Sequence, residues 1–349
     1  MARRVSGRGS PYHSLYFLES VLEPTDLERL IHESLEQLGW EADAEVLAQK
    51  VKRLDIGLPL EDEFTVLCGW LGQCKLIHKL DQQQYPAVSK NEFQVPDLFA
   101  TFNRDGQNIP VLIEVKSSHK NVLSFTPQYI GKLKAYSDLF NLPILIAWKN
   151  KFGIWTLNSL DSFKQAKKNY NLNFNDSMCD SLMGYLVGDF GYSLGAGAGL
   201  HIQAKKKKLV DVEVVEKDTK WNENWEAVID DVYFTSYNGE KFRDLSPLAQ
   251  QVFFAWDLSE ESTVTDSHLT IHNVCLEPSM LFAQMALTRV LAFRTSFSEQ
   301  QVRWRSVLGG NKILDNLADF RNGINENMDK KIVHHIIDPI PKTMPEFLK

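Results

Sequence analysis

FQVPDLFATFNRDGQNIPVLIEVK, residues 93–116, decides the reading of this chain. Its two halves, Phe93 to Phe102 and Val111 to Ser117, are rich in the β-branched and aromatic residues that suit a pleated surface. Between them Asn103-Arg104-Asp105-Gly106 is turn chemistry, with Gly106 free to take positive φ. The spacing predicts two neighbouring antiparallel strands. Side chains alternate faces along a strand. Glu114 and Lys116 therefore share one face, and Ile113 and Val115 share the other, apolar one. The polar face sets an acid and an amine side by side beneath Asp97 of the partner strand.

Two converging carboxylates repel each other unless a cation lies between them. A hard divalent ion with oxygen ligands relieves that repulsion. Asp97 and Glu114 are the expected ligands, and the carbonyl of Val115, between the two side chains of its strand, is a further one. Such an ion holds a phosphate oxygen and lowers the pKa of a bound water. Lys116 would orient or help deprotonate that water, or stabilise the charged transition state. The alternative is a surface Asp97 in a strand-start turn, with Glu114 and Lys116 as a solvated pair on an exposed sheet face.

Pro96-Asp97 followed by Glu114-Val115-Lys116 resembles the PD-(D/E)xK nuclease superfamily, which includes restriction endonucleases and archaeal Holliday-junction resolvases. The resemblance covers roughly Glu61 to Leu157, under a third of the chain. It implies an α/β, restriction-endonuclease-like mixed sheet flanked by helices. It also implies Mg²⁺, with Mn²⁺ as a substitute, held by the acids, and a lysine serving the water. Many members carry an extra metal-binding glutamate on a helix before the first core strand, and Glu63 is the candidate here. Its other reading is helix N-terminal acidity, shared with Glu61 and Asp62. Several members place a polar residue on the crossover helix facing the site, and Gln128 and Lys132 stand one turn apart there. The implied activity is metal-dependent endonucleolytic cleavage of DNA, in restriction or defence against foreign DNA. A homodimer fits, because one such site cuts one strand. The other readings are a non-catalytic nucleic-acid-binding or assembly module on the same fold, and a scaffold in which the motif is accidental.

The charge distribution bears on the partner. The net charge of −7 argues against a general nucleic-acid binder, but it is unevenly spread. Glu19 to Glu63 holds 13 acidic and 4 basic residues, whereas Lys116 to Lys168 holds 9 basic and 2 acidic. The second stretch follows the proposed site, where Lys120, Lys132 and Lys134 would track a phosphate backbone. A solvated lysine face is the plainer account of the same charges.

The remaining signals place the elements. Amphipathic helices are expected over Thr25 to Leu38, behind a Thr25/Glu28 capping box, over Ala42 to Leu54, and over Glu61 to Leu71. Cys74 to Leu80 is expected as the first core strand. Thr126 to Phe140 follows as a helix with Ile130, Leu133 and Phe140 inward. Pro143 to Trp148 is then a strand buried on both faces, and Phe152 to Leu157 another. Asp161 to Asp180 is expected as a linker, or an exposed helix and loop. Leu182 to Leu200 is glycine-rich and expected as a mobile loop or hairpin tip. It lacks the following helix that a dinucleotide fingerprint needs. Leu209 to Val215 and Val228 to Tyr237 read as strands, with Trp221 and Trp225 between them available to pack or to stack on a base. His268 and His272 fall in a strand or loop, which argues against a shared zinc. Helices are expected over Ser279 to Phe293 and Ser298 to Arg321, and an extended surface tail from His334. The expected division is an N-terminal helical segment (1–60), a nuclease core (61–180) and a second α+β domain (181–349).

At 349 residues and 44% hydrophobic, the chain can bury a substantial core. No apolar run reaches the length of a membrane span, so no membrane partner is expected. The basic N-terminus lacks an apolar signal core and is expected as a frayed tail. Four sparsely spaced cysteines fit reduced thiols in a cytoplasmic protein and neither a disulfide framework nor a zinc site.

Overall fold

The computed structural model describes residues 60–216, 220–295 and 320–349. The expected N-terminal segment with its two helices, and nearly all of the helix expected over Ser298 to Arg321, lie outside these residues. Helix α1 (60–71) leads into β1 (Cys74–Lys79), β2 (Leu98–Arg104) and β3 (Gln107–Ser117). Then come β4 (Val122–Phe125), helix α2 (Pro127–Phe140), β5 (Ile144–Lys149) and β6 (Trp155–Ser159).

The result is α/β: a mixed five-stranded sheet, in the order β1-β2-β3-β5-β6, flanked by helices. The expected hairpin is present, closed by a two-residue turn. Asp105 (φ 51°) and Gly106 (φ 84°) are both left-handed, the primed geometry that matches strand twist. Pairing is antiparallel throughout, except that β3 and β5 run parallel after the α2 crossover. Thr126 caps that helix by accepting the Tyr129 N–H at 3.2 Å.

Alternation sorts the apolar residues into two cores. Ile113, Val115, Leu145 and Ala147 pack with Phe64 and Leu67 of α1. Leu112, Ile146 and Trp148 pack on the other face with Ile130 and Leu133 of α2. The strand expected to be buried on both faces is so buried. Phe140, expected inward, is instead exposed and rests on Tyr136.

Past β6 the expectations fare less well. Asp161 to Asp180 is no linker: β7 (Lys164–Ala166) and β8 (Asn169–Asn173) form a small sheet with β4, followed by the short helix α3 (Phe174–Cys179). Leu172 and Phe163 enter the α2-side core, so this polar stretch carries enough apolar anchors to fold. The glycine-rich segment is not a surface loop either. It contains β9 (Gly191–Leu194), buried throughout. A Cβ at Gly195 would lie 2.4 Å from the Tyr237 side chain, and one at Gly199 2.7 Å from the Asn273 carbonyl. These glycines permit close approach of neighbouring chain.

The chain continues through β10 (Gly199–Glu216), β11 (Lys220–Thr235), β12 (Lys241–Phe242), α4 (Pro247–Phe254), β13 (Ser259–Val264), β14 (His268–Val274), β15 (Met280–Phe282) and α5 (Ala283–Thr295). It closes with α6 (Phe320–Asp329) and β16 (Val333–Ile337). The tail is therefore not merely extended, because β16 pairs with β9. His268 and His272 lie on strand β14. His268 bonds Asp230, and His272 bonds His201.

Two compact units result. The larger comprises Pro59–His201, Val232–Glu261 and Ile271–Lys349. The described part of the smaller lies within Ile202–Asp231 and Ser262–Thr270. There Lys206 sits 4.8 Å over the Trp225 ring. The boundary expected at residue 180 falls inside the larger unit, because one apolar cluster contains Phe64 and Leu145 as well as Leu287 and Val333. A polar clamp reinforces it. Gln284 accepts the Trp155 N–H and donates to the Trp155 carbonyl, occupying the edge strand β6. The same side chain donates to Asp189 at 2.7 Å. Burial lifts the Asp189 carboxyl to about 6 despite the Gln284 hydrogen bonds.

Helices α4 and α6 meet at Gly323, where a Cβ would lie 2.6 Å from the Leu248 carbonyl oxygen. Gly323→Ala gains about 1 kcal/mol of helix propensity. It also drives a methyl into rigid backbone, at the upper end of the roughly 1–3 kcal/mol typical of overpacking. The expected net is a loss of about 1–2 kcal/mol, read as a lower urea midpoint with unchanged m-value.

Candidate active site

Strands β2 and β3 pair as far as Leu98↔Ile113 and then part. The next residues on either side are Asp97 and Glu114. β3 does not stop there, since β5 holds it through Ser117↔Lys149. An acid on a departing strand thus faces an acid on a strand that runs on. Asp97 is fixed by its own neighbour: Oδ2 accepts the Val115 N–H at 2.7 Å. Lys116 reaches into the gap. Its Nζ donates to Glu114 Oε1 and, at 3.2 Å, to the Val115 carbonyl, and stands 3.9 Å from Asp97 Oδ2. The four predicted groups therefore converge.

Glu114 is not on an exposed face. Its side chain is 2% exposed. The α2-side core lies around it, and the Tyr129 hydroxyl donates to the same Oε1 that Lys116 holds. Burial lifts the Glu114 carboxyl above the usual range. The charge of Asp97 adds to this, while Lys116 and Tyr129 oppose it. Burial and the Glu114 charge push the Tyr129 phenol far above its ordinary value, so it remains a donor. Glu114 Oε2 is buried without a hydrogen-bond partner. A buried carboxylate oxygen left bare is costly unless something binds it.

That orphaned oxygen tests whether the implied metal suits these residues. Two carboxylates and a carbonyl make a hard, all-oxygen donor set, and Oε2 has no hydrogen-bond partner. Among the described residues no three His, Cys, Asp or Glu side chains cluster as a ready-made cage. Mg²⁺ commonly takes one or two carboxylates and fills the rest of its shell with water and phosphate oxygens. The residues present fit that mode.

Other predicted residues are placed differently. Glu63 does point inward, at 6% exposure, but its two oxygens are taken by Lys149 Nζ at 2.7 Å and Trp155 Nε1 at 2.9 Å. The helix acid whose charge reaches Asp97 is Glu61, one half-turn away. Burial raises its carboxyl, Lys79 opposes, and the charges of Asp97 and Asp62 add. Lys79 binds Glu61 at 3.0 Å and Asp62 at 2.7 Å. Gln128 is exposed on α2, and the following residue, Tyr129, is the one that touches the site. Lys132 donates to the Lys90 carbonyl at 2.6 Å and so braces the segment leading to Asp97. Lys134 lies 3.6 Å from Asp161, and Lys120 is exposed. Tyr129, Glu61 and Lys79 were not singled out from sequence. A tyrosine three residues into the crossover helix was the available signal.

No family model matches this chain, and no curated protein does. Among solved structures, the Holliday junction resolvase Hjc of Archaeoglobus fulgidus matches over 34% of this chain and 89% of its own. Sequence identity is 17% and the TM-score 0.28, too low to carry an argument about function. No helix among the described residues is long and apolar enough to cross a membrane.

Two measurements follow from the site. The raised Glu114 pKa means the folded state favours its protonated form. Its ionisation therefore costs stability as pH climbs from the unfolded value of 4.5 through the higher folded one. Glu114→Gln in EDTA should raise the urea midpoint at pH 8, with the gain shrinking toward pH 4.5. Glu63→Gln, by contrast, should lose about 2 kcal/mol at pH 7 by breaking a largely buried ion pair, whereas Glu61→Gln should lose little.

Proposed function

We propose that this chain is a metal-dependent nuclease that hydrolyses phosphodiester bonds in DNA. The observation that carries the reading is the meeting of Asp97, Glu114 and Lys116 at the parting of β2 and β3, with Glu114 Oε2 bare. Mg²⁺ or Mn²⁺ held there by Asp97, Glu114 and the Val115 carbonyl would supply a polarised phosphate oxygen and a water of lowered pKa. The protein's own groups prepare that site. The Val115 N–H fixes the Asp97 rotamer, and Tyr129 fixes Glu114 from the opposite helix. Lys116 stands between the acids, placed to orient the attacking water or to neutralise charge growing on the phosphate. Glu61, in place of the metal-binding Glu63 that was expected, adds negative charge near Asp97. Lys120, Gln128 and Lys134 are exposed and would contact the strand backbone. Restriction or defence against foreign DNA, and a homodimer that cuts both strands, belong to the reading through the family resemblance alone.

Purified protein offered plasmid, linear and branched DNA should cut in Mg²⁺ or Mn²⁺ and not in EDTA. Asp97→Ala and Lys116→Met should each lower the rate by about 10²–10⁴-fold, and Tyr129→Phe by less. DNA binding that survives these changes, with no cutting by the wild type in either metal, would instead favour the non-catalytic module. A readout independent of turnover is available. Mg²⁺ at a hundredfold its Kd should stabilise the wild type by about 2.7 kcal/mol, and Asp97→Asn should remove that shift.

A further inference from the structure

Beyond the ends of β3 and β5 lies an open cavity of about 520 Å³, lined by Asn121, Lys151, Phe152, Phe174, Asn175 and Asp176. The chain links it to the candidate active site. Lys149 pairs with Ser117, and the Ser118 N–H donates to the Lys149 carbonyl at 3.2 Å. Lys116 and Asn121 are five residues apart, at most about 17 Å at full extension. Phe174 packs against the same apolar cluster as Tyr129, whose hydroxyl binds Glu114.

Phe152 is the unusual element. The residue is 54% exposed, yet the turn that carries it is tightly built. Asn150 Oδ1 accepts the N–H groups of Phe152 and Ile154, and Gly153 adopts φ 75° to close the turn. The ring leans on Phe174 with centroids 5.3 Å apart, and Lys151 Nζ stands over it, 4.9 Å from its centroid. An exposed aromatic ring under a flexible lysine suits a flat π-system attached to a phosphate, the base taking the place of the ammonium on the ring and the ammonium moving to the phosphate. Asn175 is exposed at the cavity wall, and an amide there can meet the donors and acceptors of a base edge. Asp176 is engaged by Asn173 and Lys164, which sets a carboxylate on the wall and disfavours a phosphate seated deep in the cavity. The chemistry separates into a ring and an amide for a base and a lysine for its backbone.

We propose that this cavity holds an unpaired nucleobase of the DNA strand whose backbone passes Lys116, stacked on Phe152. The proposal rests on the nuclease reading for the path of the strand. It makes the enzyme selective for DNA carrying unpaired nucleotides next to the cut, such as a fork or flap. Fully paired duplex would leave the cavity unused.

The test is equilibrium binding by fluorescence anisotropy in EDTA, comparing a labelled forked DNA with a flush duplex of the same sequence. Phe152→Ala should weaken fork binding by about tenfold, Phe152→Trp should restore it, and duplex binding should stay unchanged. Equal fork affinity in wild type and Phe152→Ala overturns the proposal, as does a parallel loss on both DNAs or no binding to either. Failure of the nuclease reading shows separately, as a wild-type protein that binds the fork in a Phe152-dependent way but cuts nothing in Mg²⁺. Cutting that ignores Phe152 sinks the cavity alone.

Discussion

The structure depends on keeping two carboxylates close together where β2 leaves β3. Both strands would prefer to remain paired, and acids that face each other at the next rung oppose it. β3 stays straight because β5 continues the ladder on its other side. β2 is released, and Asp97 then takes a backbone N–H from Val115 in place of a cross-strand partner. The gap this opens is filled by an ammonium, Lys116, and one acid is driven into the apolar layer under α2. An interior carboxylate with one bare oxygen is poor for stability and well suited to binding a cation.

Around that gap the protein arranges its charge in layers. Asp97 is flanked by Glu61, whose own charge is balanced by Lys79. On the far sheet face Glu63, Lys149 and Trp155 form a separate polar group inside the larger core. Both groups draw an acid from α1, Glu61 for the first and Glu63 for the second. The second half of the chain is part of this support. Gln284 and Asp189 secure the edge strand β6, and Leu287 and Val333 share a core with Phe64. The site is thus built on a unit wider than the segment that carries its motif.

Local signals in the sequence were sufficient for the centre of the molecule. Asp105-Gly106 marked the turn, alternation put Glu114 and Lys116 together, and the unbroken apolar run of β5 announced a doubly buried strand. These are short-range properties, set by φ preferences and a two-residue period, and no partner can change them. The same alternation left the surroundings of Glu114 open, because its face could equally have met water or a helix.

What tertiary structure alone decided is which neighbour each side chain met. Inward placement of Glu63 follows from helical spacing, but its partners, Lys149 and Trp155, are more than eighty residues away. Tyr129 rather than Gln128 reached the acid because the helix rotation is set by Ile130 and Leu133 against the sheet. The glycines of Leu182 to Leu200 looked like surface slack and proved to be close contacts with Tyr237 and Asn273. The sequence by itself determined periodicity, turns and the chemistry on one hairpin. Facing, burial and charge pairing came from the folded whole, since each depends on segments the chain brings together from far apart.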